Sequence, residues 1–188
     1  MPFVWNRCTM FLILVCTGAL AAFPARAGGQ DASAREYQIK AAFLYKFASF
    51  VKWPAEAFSG DTSPMVVGVL GKDPFGAVLD QSLKEPAGGR SFVVKRFKEI
   101  GEVAPCHILF ISSSEQKNFP QILGGLQGAV LTVSDVPGFA EQGGIINLPS
   151  EKHKIRVEVN LEQSKKLGLK INSQLLGIAT LVGAKAGK

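Results

Sequence analysis

Hydrophobic and polar positions along this chain follow two periods, one helical and one extended. Over Glu36 to Pro54, EYQIKAAFLYKFASFVKWP, apolar residues recur at helical spacing. With a turn of about 100° per residue, Ile39, Phe43, Leu44, Phe47, Phe50 and Val51 share one stripe, and Gln38, Lys46, Ser49 and Lys52 lie away from it. Lys40 intrudes on that stripe near its start, where its long stem can reach solvent. A one-sided stripe predicts packing against a partner element rather than a bilayer span. Ser33-Ala34-Arg35-Glu36 reads as a capping box, which places the helix start near Ala34. Pro54 lacks an amide donor and disfavours helical geometry at Trp53, so the chain is expected to turn there.

The extended segments come next. MVVGVLG (65–71), HILFIS (107–112) and AVLTVSD (129–135) are continuous runs rich in β-branched residues, predicting strands buried on both faces. SFVVKRF (91–97) alternates and predicts a strand with one solvated face. Short helices are expected at FGAVLDQSL and FPQILGGLQ, with Ser113-Ser114-Glu115 as a helix start. Near the end, GGIINLPSEKHKIRVEVN sets an apolar run against an alternating one across a polar turn and predicts an antiparallel hairpin closing one sheet edge. Asn160 is placed to cap a helix running to Lys166, and Ser173 to begin a last helix, SQLLGIATLV. The expectation is one α/β domain, a Rossmann-like three-layer fold with a mostly parallel sheet and a C-terminal antiparallel hairpin edge.

The N-terminus changes the picture of compartment. Arg7 precedes an uncharged apolar run, Cys8 to Ala22, and Ala25-Arg26-Ala27 has the small-x-small form of a cleavage site. The run is about 15 residues, short of the roughly 20 that a spanning helix needs. Residues 1–27 are therefore read as a secretory signal peptide cleaved after Ala27, and 28–188 as a single exported α/β domain. Val15 before Cys16, inside the run, argues against lipidation. The formal charge of +6 falls when Arg7 and Arg26 leave. The remaining cations, such as Lys95, Arg96 and Lys98, alternate with Val94 and Phe97, which suits a solvated strand face and not a nucleic-acid footprint. Cys8 and Cys16 leave as well. The one remaining thiol, Cys106, cannot form an intramolecular disulfide and is read as a small buried hydrophobe.

Candidate chemistry is sparse. The exported chain has no Gly-x-Ser-x-Gly elbow, and His107 and His153 with one Cys give no metal-ligand spacing. Asp73, Asp80 and Asp135 could converge in space, but no spacing requires it. Gly71-Lys72-Asp73-Pro74-Phe75-Gly76 lacks the Walker pattern and reads as a strand-to-helix turn. In open α/β sheets, ligands lie at the carboxyl ends of parallel strands. There this sequence places Lys72, Asp73, Ser113 and Asp135, which form either a small ligand crevice or simple helix and turn caps.

Taken together, EYQIKAAFLYKFASFVKWP, VVGVLGKDPFG, CHILFIS and INL...KIRVEVNLEQSKKLGLKINSQLLGIA resemble the YfiR/HmsC-like family of periplasmic proteins across the mature chain. The resemblance implies a cofactor-free α/β regulator without catalysis. It would bind the periplasmic sensor region of an inner-membrane diguanylate cyclase and hold the enzyme inactive, lowering cyclic-di-GMP and biofilm formation. A sensor kinase's periplasmic domain is an alternative partner, an outer-membrane lipoprotein a second one, and a homodimer is compatible with the family. The alternative function is a periplasmic small-ligand-binding protein feeding a sensor kinase or receptor. If this helix carries a partner surface, Tyr45, opposite the helical stripe, and Trp53, at its margin, are the candidates to form it, because exposed aromatics often anchor interfaces; the alternative is that they are ordinary isolated aromatics.

Overall fold

The computed structural model describes residues 27–152 and 154–183, with side chains from Ala32 onward. The predicted signal peptide, save Ala27, and His153 lie outside the described residues. Helix α1 (Ala27–Phe50) opens the described chain. It begins before the Ser33 box, so Ser33 is an interior helical residue. The capping expectation is corrected: the Ala, Gln and Ser residues around it favour or tolerate helix, and no breaker separates them from Ala34. The helix ends where Val51–Lys52 (β1) turn to pair antiparallel with Lys170–Ile171, Val51 opposite Ile171. Pro54 then caps a 3₁₀ turn, Ala55–Ala57.

The buried side of α1 is rotated from expectation. Ala41, Leu44, Phe47, Ala48 and Val51 are buried, Phe43 and Phe50 are half-buried, and Ile39 is 51% exposed. Lys40, read as an intruder able to reach solvent, lies in the middle of the buried side at 2% exposure.

The chain continues through β2 (Met65–Leu70), α2 (Ala77–Ser82), β3 (Phe92–Phe97), β4 (Ile108–Ile111), α3 (Phe119–Gly125), β5 (Leu131–Ser134) and β6 (Ile146–Asn147). A small hairpin, β7 (Ser150–Glu151) with β8 (Lys154–Ile155), precedes β9 (Glu158–Val159) and α4 (Leu161–Lys166). Then follow β10 (Lys170–Ile171), α5 (Ser173–Leu176) and β11 (Thr180–Leu181). Asn160 caps α4 as its sequence position implies, its Oδ1 accepting from Gln163 N at 3.0 Å.

One seven-stranded sheet runs in the order β11-β9-β6-β5-β4-β2-β3. From β3 to β6 all neighbours are parallel; β9 is antiparallel to β6 and parallel to β11. The expected hairpin pairing is thus present between β6 and β9. The edge beyond it belongs to β11, because the last helix is shorter than expected. Gly177 follows α5, and the β-branched Ile178, Thr180 and Val182 then favour an extended chain over further helical turns.

Three layers result. On one face α1 and α2 bring Leu44, Phe47 and Leu79 onto Val67, Val69, Ile108, Phe110, Leu131 and Val133. On the other, α3 brings Phe119 and Ile122 onto Leu70, Leu109 and Ile111. Strands covered on both faces need side chains that are apolar or hydrogen-bonded: β2 and β4 read as unbroken apolar runs, and in β5 the buried Ser134 hydroxyl donates to Ile111 O while Thr132 Oγ1 accepts from Ile145 N. Cys106 joins the second cluster at 8% exposure as a free thiol. Burial pushes its pKa up to about 12, so it stays protonated.

Candidate functional site

The strand order is that of a doubly wound sheet. From β2 the chain steps outward to β3 and then crosses to β4, β5 and β6 on the other side. The switch point lies between the carboxyl ends of β2 and β4, the position where ligands enter such sheets. Here it is occupied by the protein itself. Gly71 has φ +87, and a Cβ built on it would come within 2.4 Å of Ser114 Oγ and 2.8 Å of Glu115 Cγ. Lys72 N donates to Ser114 Oγ at 3.0 Å, and Ser114 Oγ donates to Glu115 Oε1 at 3.1 Å. Ser113 starts the 3₁₀ turn Ser113–Asn118 and is exposed, while Ser112 supplies the cap.

The four sequence candidates divide among separate sets of contacts. Asp73 accepts from Phe75 N at 2.8 Å through Oδ1 and from Arg96 Nε at 2.7 Å through Oδ2. Arg96 also donates to Asp80 Oδ2 at 2.5 Å, holding the Asp80 carboxyl below its ordinary pKa. Asp135 turns toward α1 instead, accepting from Lys40 Nζ at 2.7 Å and from Tyr37 OH at 2.9 Å. Lys40 donates to Glu36 as well, and its ammonium lies 4.6 Å from the Tyr37 ring centroid. Burial, with the Asp135 carboxylate second, pushes the Tyr37 phenol upward in pKa, so it remains a donor.

The sequence reading missed the Glu36, Tyr37 and Lys40 members of this cluster. Two signals were available: Glu36 and Lys40 are four apart, an ion-pair spacing on a helix, and Lys40 lies in an apolar stripe. A lysine on a buried face implies a carboxylate in the facing element.

Trp53 and Tyr45 are both anchored internally. Trp53 Nε1 donates to the His107 carbonyl at 3.2 Å, and its ring meets Phe58 edge-on at 6.4 Å. Phe58 stacks on the His107 imidazole at 4.3 Å and carries the Arg90 guanidinium over its ring, 3.8 Å from the centroid. Tyr45 is half-buried against Phe92, 5.7 Å between centroids, with its hydroxyl donating to Pro86 O at 3.2 Å.

His107 is held neutral by this setting. Nδ1 accepts from Val66 N at 2.9 Å, and Nε2 faces Ala57 O at 3.0 Å. Burial, with the Arg90 charge assisting, lowers its pKa from 6.5. The unfolded chain takes up the proton near that ordinary value and the folded chain only at lower pH. The contribution to stability is therefore full above about 6.5 and is lost as pH falls through the folded value. Denaturant unfolding of the mature chain from about pH 8 to about pH 5 should show that decline, and His107→Gln should flatten it; equal slopes for both proteins would refute the assignment.

A cavity of about 40 Å³ lies between α3 and α4, lined by Leu123, Val130, Thr132 and Gln163 among others. It has room for water and not for a metabolite. Among the described residues no cluster of His, Cys, Asp and Glu could hold a metal ion. The only described side-chain atom buried without a hydrogen-bond partner is Asn147 Oδ1.

A family model described as YfiR/HmsC-like matches residues 37–180, from the Tyr37 hydroxyl on Asp135 to the edge strand β11. The chain belongs to the YfiR/HmsC-like family. No curated protein matches it in sequence. Among solved structures it is similar to the ABC domain in complex with L-Trp from Streptococcus pneumonia, with TM-score 0.52 and 12% identity. That match covers 78% of this chain and 60% of the other, so the chain spans less than two thirds of that structure's length. At that identity the likeness shows the α/β fold alone. Membership in the YfiR/HmsC-like family supports a periplasmic regulatory role, exercised through a partner protein's periplasmic domain, in a family not known for enzymes. Among the described residues no helix is long and apolar enough to cross a membrane.

Proposed function

We propose that this YfiR/HmsC-like chain is exported by its N-terminal signal and represses an inner-membrane diguanylate cyclase by binding the cyclase's periplasmic sensor region. The observation that carries this reading is the family match over residues 37–180. The geometry agrees with a protein partner better than with a small ligand. Asp73 and Asp135 commit their carboxylates to Arg96 and Lys40, and Ser114 and Glu115 occupy the switch point. Repression then acts by population shift: the chain binds the inactive arrangement of the sensor more tightly than the active one. Turning a fully biased equilibrium around requires a preference of about 10⁴-fold between the two states.

The test is photo-crosslinking in living cells from positions on the exported chain, followed by identification of the membrane product. An inner-membrane protein with a cytoplasmic diguanylate cyclase domain is expected. Crosslinks confined to a sensor kinase would replace the cyclase by that class of partner. A full set of positions with no inner-membrane product would overturn the proposal.

A further inference from the structure

Of the two edges of the seven-stranded sheet, the one formed by β3 is long and open. Ser91 O accepts from Met65 N at 2.8 Å and Phe97 O from Gly71 N at 2.9 Å, so the odd-numbered residues of β3 direct their main chain toward β2. Main-chain direction alternates along a strand, and the N–H and C=O groups of Phe92, Val94 and Arg96 therefore point outward. None of them has a partner among the described residues. The open stretch has defined ends. Ala87 and Arg90 bridge to each other before it, and Lys98 N donates to Glu102 Oε2 at 2.8 Å after it. β3 as a whole is about 20 Å long, enough for a complete strand to lie alongside.

The side chains around this edge differ from one end to the other. On the α1 face of its start Phe92 and Val94 are half-buried and the Tyr45 ring extends that apolar shelf, whereas Val93, on the opposite face, is 39% exposed. At its end Lys95 and Lys98 are exposed with no carboxylate in ion-pair range among the described residues, whereas Arg96 is already neutralised by Asp73 and Asp80. Lysines on an edge strand discourage pairing with another copy of the same edge. They leave pairing with an acidic strand favourable.

We propose that the free edge of β3 receives an extended, acidic segment of the partner protein by strand addition. The segment's main chain bonds to Phe92, Val94 and Arg96, its apolar side chains rest on Phe92, Val94 and Tyr45, and its carboxylates, on the opposite face and past the strand's end, pair with Lys95 and Lys98. Main-chain bonds supply affinity in such complexes and the alternating side chains supply selectivity. The inference rests on the partner-binding reading above and names the surface that performs it.

The probe is a synthetic heptapeptide, Thr-Glu-Val-Glu-Val-Glu-Thr, with a counterpart carrying Lys for Glu. Amide exchange by NMR on the mature chain should slow at Phe92, Val94 and Arg96 by about tenfold or more with the acidic peptide, and not with the basic one. Val94→Pro removes an N–H that the β2 ladder does not use, so the fold persists and that protection disappears. Lys95→Glu with Lys98→Glu should reverse the preference between the two peptides, which loss of fold could not do. In cells where the unmodified chain represses, both variants should release repression. Unchanged exchange with the acidic peptide, equal protection by both peptides, or concentration-dependent protection without peptide, the sign of a second copy on the edge, would each overturn the proposal. So would full repression by Val94→Pro where the unmodified chain represses. If the unmodified chain represses no cyclase, the functional reading fails while the peptide result still decides the edge.

Discussion

Lys40→Ala is expected to lower the unfolding free energy by about 3–5 kcal/mol, a large share of what a domain of this size possesses. Lys40 is 2% exposed and faces Asp135, whose side chain is 9% exposed, so its removal leaves a carboxylate in apolar surroundings with only the Tyr37 hydroxyl as donor. Most of the expected loss is that stranded charge and not the value of the pair. Replacing both partners by apolar residues, Lys40→Met with Asp135→Leu, should therefore recover most of the stability, since a well-packed apolar substitute is often neutral or better. Urea unfolding of the mature chain measures both variants. A single-variant loss below about 1 kcal/mol would mean that water reaches the site and that the pair behaves as a surface ion pair.

Phe75→Ala should cost about 3–5 kcal/mol through the cavity it leaves. The ring is 4% exposed and stands between two others: 4.7 Å from Phe110 in β4 and 5.3 Å from Tyr37 in α1, edge-on to both. It thus joins the first helix to the centre of the sheet at the same end as the ion pair. Because Tyr37 touches both Phe75 and Asp135, the two predictions are coupled. The Lys40→Ala, Phe75→Ala double variant should lose less than the sum of the singles, once α1 has already loosened. Additive losses would show that the aromatic chain and the ion pair hold α1 independently.

The fold was legible where burial acts on both faces of a strand. β2 and β4 are short, apolar throughout and rich in β-branched or aromatic residues, β5 departs from that only in its hydroxyls, and the Asn160 cap marked the start of α4 directly. What failed to show were features set by partners distant in sequence. Ile39 and Lys40 exchange the places expected of them because Asp135, at the end of β5, draws Lys40 inward; nothing local to α1 signals that. The Ser33 box has the right residues for a helix start, yet the helix continues through it, since a cap forms only where the preceding chain departs from helical geometry. At the C-terminus, SQLLGIATLV carries helical and extended tendencies together, and the vacant sheet edge beside β9 decides for strand after Gly177. The residues named for the candidate crevice do follow the carboxyl ends of β2, β4 and β5, but they do not converge on one another. The packing of Ser114 on the Gly71–Lys72 backbone is a loop contact that strand patterns do not encode.

Under the function proposed from the family match, the chain lowers cyclic-di-GMP from the periplasm. The direct measurement is cellular cyclic-di-GMP in a deletion strain, compared with the same strain carrying either the full sequence or a form lacking residues 1–27. The expected result is a rise on deletion that the exported form reverses and the signal-less form does not. An unchanged level on deletion, or equal rescue by both forms, would contradict it.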